Sequence, residues 1–172
     1  MIDISKYEGV FQHAVIKTSD IPFSAEVRKA CEANMCGNYG KSWACPPGVG
    51  ETEEIKNKIL KFERALVFTH LGEIEDSFDF EGMQRVGQQA DGILRKAVSR
   101  LKKENIPHIP LGCGACRLCE ECLYPDLPCR HSEKMIVSVE ACGIDVVKLA
   151  ADCNINYHNG PNTVTYFCLI IY

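Results

Sequence analysis

Eight of the chain's 11 cysteines fall into two groups whose spacing suits a soft metal. The first group is Cys31, Cys36 and Cys45, and the second is Cys113, Cys116, Cys119, Cys122 and Cys129. In the second, thiols recur at every third residue through the run Cys113-Gly-Ala-Cys116-Arg-Leu-Cys119-Glu-Glu-Cys122. A tetrahedral zinc site takes one C-x2-C knuckle and a second pair roughly 12 to 20 residues on, because each knuckle supplies two corners. Three overlapping knuckles are too dense for that pattern. A cubane iron–sulfur cluster asks instead for thiolates at separate iron corners, which a backbone wound in successive short turns can supply. Gly112, Gly114 and Ala115 let such a loop approach an inorganic core closely. The run departs from the bacterial ferredoxin pattern C-x2-C-x2-C-x3-C-P, since its last spacing is two and no proline follows Cys122. Cys122 and Cys129 are therefore both candidates for the last ligand.

The first group is looser, but turn-forming residues surround it. Gly37, Gly40, Gly48 and Gly50 permit sharp turns, and Pro46 and Pro47 stiffen the exit from Cys45. Two cubanes with four thiolates each need eight cysteines, the number that the two groups hold together. The spacing thus predicts two [4Fe–4S] clusters held by Cys31, Cys36, Cys45, Cys113, Cys116, Cys119, Cys122 and Cys129, with one downstream residue crossing over to the upstream cluster. The fourth Cys of a run crosses in this way in two-cluster ferredoxins. Cys142, Cys153 and Cys168 stand singly among apolar residues and read as small buried hydrophobes. An odd total in a chain long enough to fold unaided argues against a disulfide framework.

Three functions compete on these residues. The favoured one is a carrier that moves single electrons through its clusters to or from a redox partner protein in anaerobic metabolism. The second is an enzyme whose upstream cluster has only three thiolates, leaving one iron to bind a small-molecule substrate. Lys41 is then a weak candidate for a catalytic acid or base, Trp43 walls the site, and one of the five downstream thiols is surplus. The third is a structural zinc module for protein interaction, in which His131, two residues after Cys129, joins a mixed site. The remaining histidines, His13, His70, His108 and His158, have no partner at ligand spacing and read as structural. No G-x4-G-K-[ST] loop, G-x-G-x-x-G after a strand or G-x-S-x-G elbow is present, so nucleotide and serine-hydrolase chemistry have no footing.

The charge balance narrows the partners. Nineteen Lys and Arg against 23 Asp and Glu give a formal charge of −4 and a pI near 5.7, which argues against nucleic acid and anionic membrane. No run of 18 apolar residues is available to span a bilayer. Met1-Ile2-Asp3-Ile4-Ser5-Lys6 lacks a basic stretch followed by an apolar one, so a cytoplasmic location is expected. Arg95, Lys96, Arg100, Lys102 and Lys103 cluster along one stretch and read chiefly as a solvated helix face.

The elements that must position the cysteines follow from periodicity. Alternation over Val10–Ile16 predicts a first strand, and Ser24 predicts the cap of a short helix running to Cys31. Thr52 predicts a second cap, with Ile55, Ile59 and Phe62 on one helix face, and Ala65–Thr69 reads as a buried strand. Met83, Val86, Ala90, Ile93, Ala97 and Leu101 recur at three- and four-residue steps, predicting a helix of about six turns. His108–Leu111 leads as a short strand into the cysteine run, Ser132 predicts a helix ending at Gly143, and a short helix is expected over 145–151. Thr163–Tyr172 is the clearest strand. The expected fold is α+β, of layered α/β type, with a small mixed sheet covered by helices and a cysteine-rich iron–sulfur lobe. Residues 1–172 are expected to form a single domain, with metal-binding segments at 31–47 and 112–131.

Cys36-Gly-Asn-Tyr-Gly-Lys-Ser-Trp-Ala-Cys45-Pro-Pro, together with Gly112–Cys122, Pro128-Cys-Arg-His131 and Ser138-Val-Glu-Ala-Cys-Gly-Ile-Asp-Val146, resembles a largely uncharacterised family of predicted metal-binding proteins, a domain of unknown function found in anaerobic bacteria and methanogenic archaea. The resemblance covers nearly the whole chain. It implies cysteine-bound metal of iron–sulfur type and an anaerobic setting, and supplies no reaction or substrate. Ser132 stands where the family often carries a proline after the Arg-His pair.

Overall fold

The long apolar stripe and the apolar C-terminal run build the two largest elements of the structure, a computed structural model that describes residues 3–172. In chain order these are β1 (His13–Lys17), α1 (Ala25–Glu32), α2 (Thr52–Ile59), β2 (Arg64–Glu73), α3 (Phe80–Lys103), β3 (Ile109–Gly112), β4 (Val137–Ser138), α4 (Val146–Asp152) and β5 (Thr163–Ile171). The five strands form one sheet in the order β1-β2-β5-β3-β4. All pairs are antiparallel except β3 with β4, where Leu111 lies opposite Val137 and Gly112 opposite Ser138. The fold is the mixed α+β arrangement expected, with an open sheet.

Period-two alternation gives the central strands two apolar faces. Ala65, Val67, Leu111, Phe167, Leu169 and Ile171 pack with Ile59 of α2 and with Val146 and Leu149 of α4. Leu66, Phe68, Cys168 and Ile170 face the other way, onto Ala90, Ile93, Leu94, Ala97 and Leu101 of α3. Asp79 caps α3, its carboxylate accepting from Gly82 N–H at 2.8 Å. Ser24 caps α1 as expected, accepting from Glu26 N–H at 3.2 Å. None of α1's residues is fully buried. Tertiary bonds fix it instead: Ser24 N–H donates to Gly143 O at 2.8 Å, and Arg28 donates to Ala141 O at 2.9 Å and to Gly50 O at 2.5 Å. No helix among the described residues is long and apolar enough to cross a membrane.

Two local expectations need correction. Thr52 is the first residue of α2 and not its cap; Glu51 takes that place without a side-chain cap bond. No helix follows Ser132. The chain turns at His131, whose carbonyl accepts from Lys134 and Met135 N–H, then forms β4 and a 3-10 turn over Glu140–Cys142 that ends at Gly143 with φ +78°. The stretch Met135-Ile-Val-Ser-Val is rich in β-branched residues, and pairing beside β3 satisfies its backbone while Ile136 packs on the α3 side.

Candidate metal centre

Both cysteine segments leave the same end of the parallel pair. The downstream segment departs directly from the end of β3 after Gly112. The upstream segment follows α1, which Arg28 ties to Ala141, just past the end of β4. Crevices beyond the carboxyl ends of parallel strands are where α/β sheets commonly bind ligands, because chains diverge there and leave room.

The upstream loop is wound by its own backbone and amide side chains. Cys31 lies in the last turn of α1, and Asn34 follows in the left-handed region with φ +55°. Tyr39 N–H donates to Asn34 Oδ1 at 3.0 Å, Asn38 Nδ2 to Cys36 O at 2.9 Å, and Gly40 N–H to Pro46 O at 2.8 Å. Cys36 is exposed, Cys31 half-buried and Cys45 buried. Lys41 is exposed on this loop.

The downstream loop is held from outside by α3. Arg95 donates to Lys134 O at 3.0 Å while pairing with Asp91 at 2.7 Å, Lys102 donates to Glu133 O at 3.1 Å, and Arg117 reaches back to Gln84 O at 3.5 Å. Two members of the basic cluster thus clamp the cysteine loop, and Arg100 pairs with Glu104 at 2.8 Å. Cys116, Cys119, Cys122 and Cys129 are all half-buried, and His131 N–H donates to Cys129 Sγ at 3.4 Å.

An aromatic hinge joins the two segments. Trp43 Nε1–H donates to Leu127 O at 3.0 Å, and its ring meets Tyr124 edge-on at 4.9 Å. Gly48 lies under the same tyrosine, where a Cβ would come within 2.8 Å of the ring and 2.6 Å of Ser42 O. Trp43, Val49, Leu127, Cys129 and Met135 line an open cavity of about 510 Å³ beside this contact.

The thiols feel one another across that junction. Burial pushes the Cys31 thiol up, and the neighbouring Cys36, Glu140 and Cys45 add to the shift against Arg28. Burial also raises Cys45; a hydrogen bond with Ser42 opposes it, and Cys36, Cys116 and Cys122 raise it further. Burial raises Cys116, opposed by Leu118 N–H and reinforced by Cys129, Cys119 and Cys122. Cys45 of the upstream group is thus influenced by Cys116 and Cys122 of the downstream group. Crowded thiols with raised values suit a cation, which would remove the mutual repulsion and hold them as thiolates. Among the described residues no three His, Cys, Asp or Glu side chains converge on a single point.

Cys113 stands apart. Its Sγ donates to Gly87 O of α3 at 3.6 Å, and the side chain packs on the core between α3 and the sheet. A hydrogen bond with Cys113, followed by complete burial, holds the Cys168 thiol well above its usual range. Gly87 also leaves room for Tyr166, whose ring a Cβ there would meet at 3.3 Å. Cys142 is buried in the opposite core and its thiol is pushed up to about 12 by burial, then by Glu140. Cys153 is half-buried against that same core.

Spacing alone does not show Arg28 or Gly87 as parts of this site. Both act on carbonyl contacts distant in sequence, and Glu140 carries no signal beyond its place in the Ser138–Val146 stretch. No curated protein and no solved structure matches the chain. Residues 14–172 match a family model described as predicted metal-binding protein (DUF2284), a span that takes in every grouped cysteine. The cysteine-lined lobe at the end of the sheet is thus the shared ground of geometry and kinship, and the chain belongs to this family of predicted metal-binding proteins.

Proposed function

We propose that the lobe holds two [4Fe–4S] clusters and that the protein carries electrons between them and a redox partner. The observation that carries this reading is the docking of the two cysteine segments, with Trp43 Nε1–H donating to Leu127 O at 3.0 Å and its ring set against Tyr124, which brings together thiol groups some 70 residues apart. A [4Fe–4S] core supplies a one-electron couple whose potential responds to charge, to hydrogen bonds on sulfur and to solvent. His131 N–H on Cys129 and Leu118 N–H on Cys116 favour added negative charge at those sulfurs, which raises the potential.

The spacing of the thiols supports clusters over a lone zinc, because three overlapping C-x2-C knuckles crowd one ion but can serve separate irons of a core. Each cluster with four thiolates carries about −2, so a loaded lobe adds to the formal charge of −4 and favours a partner that presents basic groups.

The test is composition. Protein purified without oxygen should be brown, absorb broadly near about 400 nm and hold about eight iron and eight sulfide per chain. Stoichiometric zinc without sulfide in protein never exposed to oxygen overturns the reading.

A further inference from the structure

Two aromatic side chains are held in solvent at the start of α3. Phe78 is 77% exposed and Phe80 67%, and each would gain free energy by contact with another surface. The segment that carries them is firmly built. The Asp79 carboxylate accepts from Glu75 N–H at 3.0 Å and from Gly82 N–H at 2.8 Å, and Asp76 Oδ1 accepts from Phe78 N–H at 2.7 Å. Gly82 has no room for a Cβ beside that carboxylate. A segment fixed in this way meets a partner with little further ordering to do. Its surroundings are acidic: Glu73, Glu75, Asp76 and Glu81 are exposed, and among the described residues none of the four forms an ion pair.

The other end of α3 carries the complement. A groove of about 490 Å³ lies between the helix and the turn over Glu133–Ile136, with Val98, Pro110, Met135 and Ile136 as its apolar lining. Lys102, Lys103 and Lys134 border it, all exposed, beside a single carboxylate, Glu133. Among the described residues none of these lysines pairs with an acid. A cavity of about 150 Å³ takes one benzene, so the groove has volume for two phenyl rings. Phe80 and Val98 stand about 27 Å apart along one helix, so a copy cannot fill its own groove.

We propose that the chain self-associates head to tail, the acidic segment between β2 and α3 of one copy placing Phe78 and Phe80 in the lysine-bordered groove of the next. The two surfaces differ, so the contact is heterologous and assembly continues until it closes into a ring or grows as an open chain. Charge selects this pairing, because segment against segment or groove against groove would set like charges together. The groove adjoins the turn that Arg95 and Lys102 clamp. The contact thus brings one copy beside the cysteine loop of another, whichever metal that loop holds.

The test is sedimentation velocity of the full chain over a range of concentrations, with its free thiols kept reduced. The parent should pass from the 19.2 kDa monomer to larger species as concentration rises. Phe78→Ser with Phe80→Ser removes the rings, and Lys103→Glu with Lys134→Glu reverses two charges at the groove. Each double variant should self-associate about 30-fold more weakly, or less still. Mixed where each alone is monomeric, the two should form a 1:1 complex of about 38 kDa, twice the 19.2 kDa chain mass, and nothing larger. One copy retains a groove and the other a segment, and recovery in the mixture shows that both variants are folded. A parent that stays monomeric at about 1 mM overturns the proposal, as does self-association that either variant retains in full. Loss in both variants without recovery in the mixture overturns the head-to-tail pairing.

Discussion

Gly48→Ala tests whether the two cysteine segments must dock for the lobe to bind metal. A Cβ at residue 48 would stand 2.6 Å from Ser42 O and 2.8 Å from the Tyr124 ring. Unstrained carbon contacts lie at about 3.5 to 4.0 Å, so the intruding atom needs nearly 1 Å of relief. Neither neighbour yields easily. Ser42 O accepts from Cys45 N–H at 3.2 Å, and the Tyr124 ring is set against Trp43. Overpacking of this kind costs about 1 to 3 kcal/mol. If metal binding requires the docked form, the same cost weakens loading by about 5- to 150-fold. Trp43 is the chain's one tryptophan, so its fluorescence reports the junction alone. Urea unfolding of metal-free protein followed by that fluorescence should shift to lower denaturant, and iron taken up at limiting supply should fall. Gly92→Ala is the control: it faces open space on α3 and should stabilise by about 0.5 to 1 kcal/mol without touching iron uptake. A Gly48→Ala protein that melts within about 0.5 kcal/mol of the parent and loads iron equally refutes the docking argument.

Two further outcomes follow from the placement of the other thiols. Cys116→Ser should lose about half of the iron, whereas Cys153→Ser, half-buried at the far end of α4, should keep all of it and cost about 1 kcal/mol of stability; iron analysis of both variants decides the division of the cysteines. Metal-free protein should lose stability in alkali, because Cys142 is raised from 9.0 to about 12 in the folded state and its contribution is complete below about pH 9, then declines as pH climbs toward 12. The slope is about 1.4 kcal/mol per pH unit for one proton, so Cys142→Ala should show a dependence shallower by that amount between pH 9 and 11 in urea melts.

The parts that were legible in the sequence are those in which local chemistry and tertiary packing agree. Ser24 caps α1 by a bond to Glu26 N–H two residues on, and the apolar positions expected along α3 that lie buried pack against β2 and β5. Ser132 misleads because capping propensity is local, whereas β4 exists only through its pairing with β3. Cys113 has the same three-residue spacing as its neighbours and looks identical to them. What separates it is a carbonyl on α3, 26 residues before it, and its packing beside that helix. Basic residues at the end of α3 read as solvated surface, yet Arg95 and Lys102 spend their donors on Lys134 and Glu133 carbonyls, contacts that no helical periodicity encodes.

These contacts determine how deeply metal is coupled to the fold. In a small zinc finger the ligands are most of the core, and the chain is unfolded without metal. Here the two apolar cores on either side of the sheet, with Leu66, Phe68, Leu94, Leu169 and Ile171 all at 0% exposure, take only Cys113 from among the grouped cysteines, as a partly buried neighbour. The grouped cysteines other than Cys113 sit in the last turn of α1 and in loops held by the donors Arg28 and Arg95 and by Asn34 Oδ1 as acceptor. Those loops have few apolar contacts of their own, and local opening follows low burial. Removing iron with a chelator should therefore change Trp43 fluorescence and raise hydrogen exchange in residues 34–50 and 114–131, while far-UV circular dichroism and the slow amides of α3 and β5 stay as they were. Global unfolding on metal removal would mean that the lobe, and not the sheet, holds this protein together.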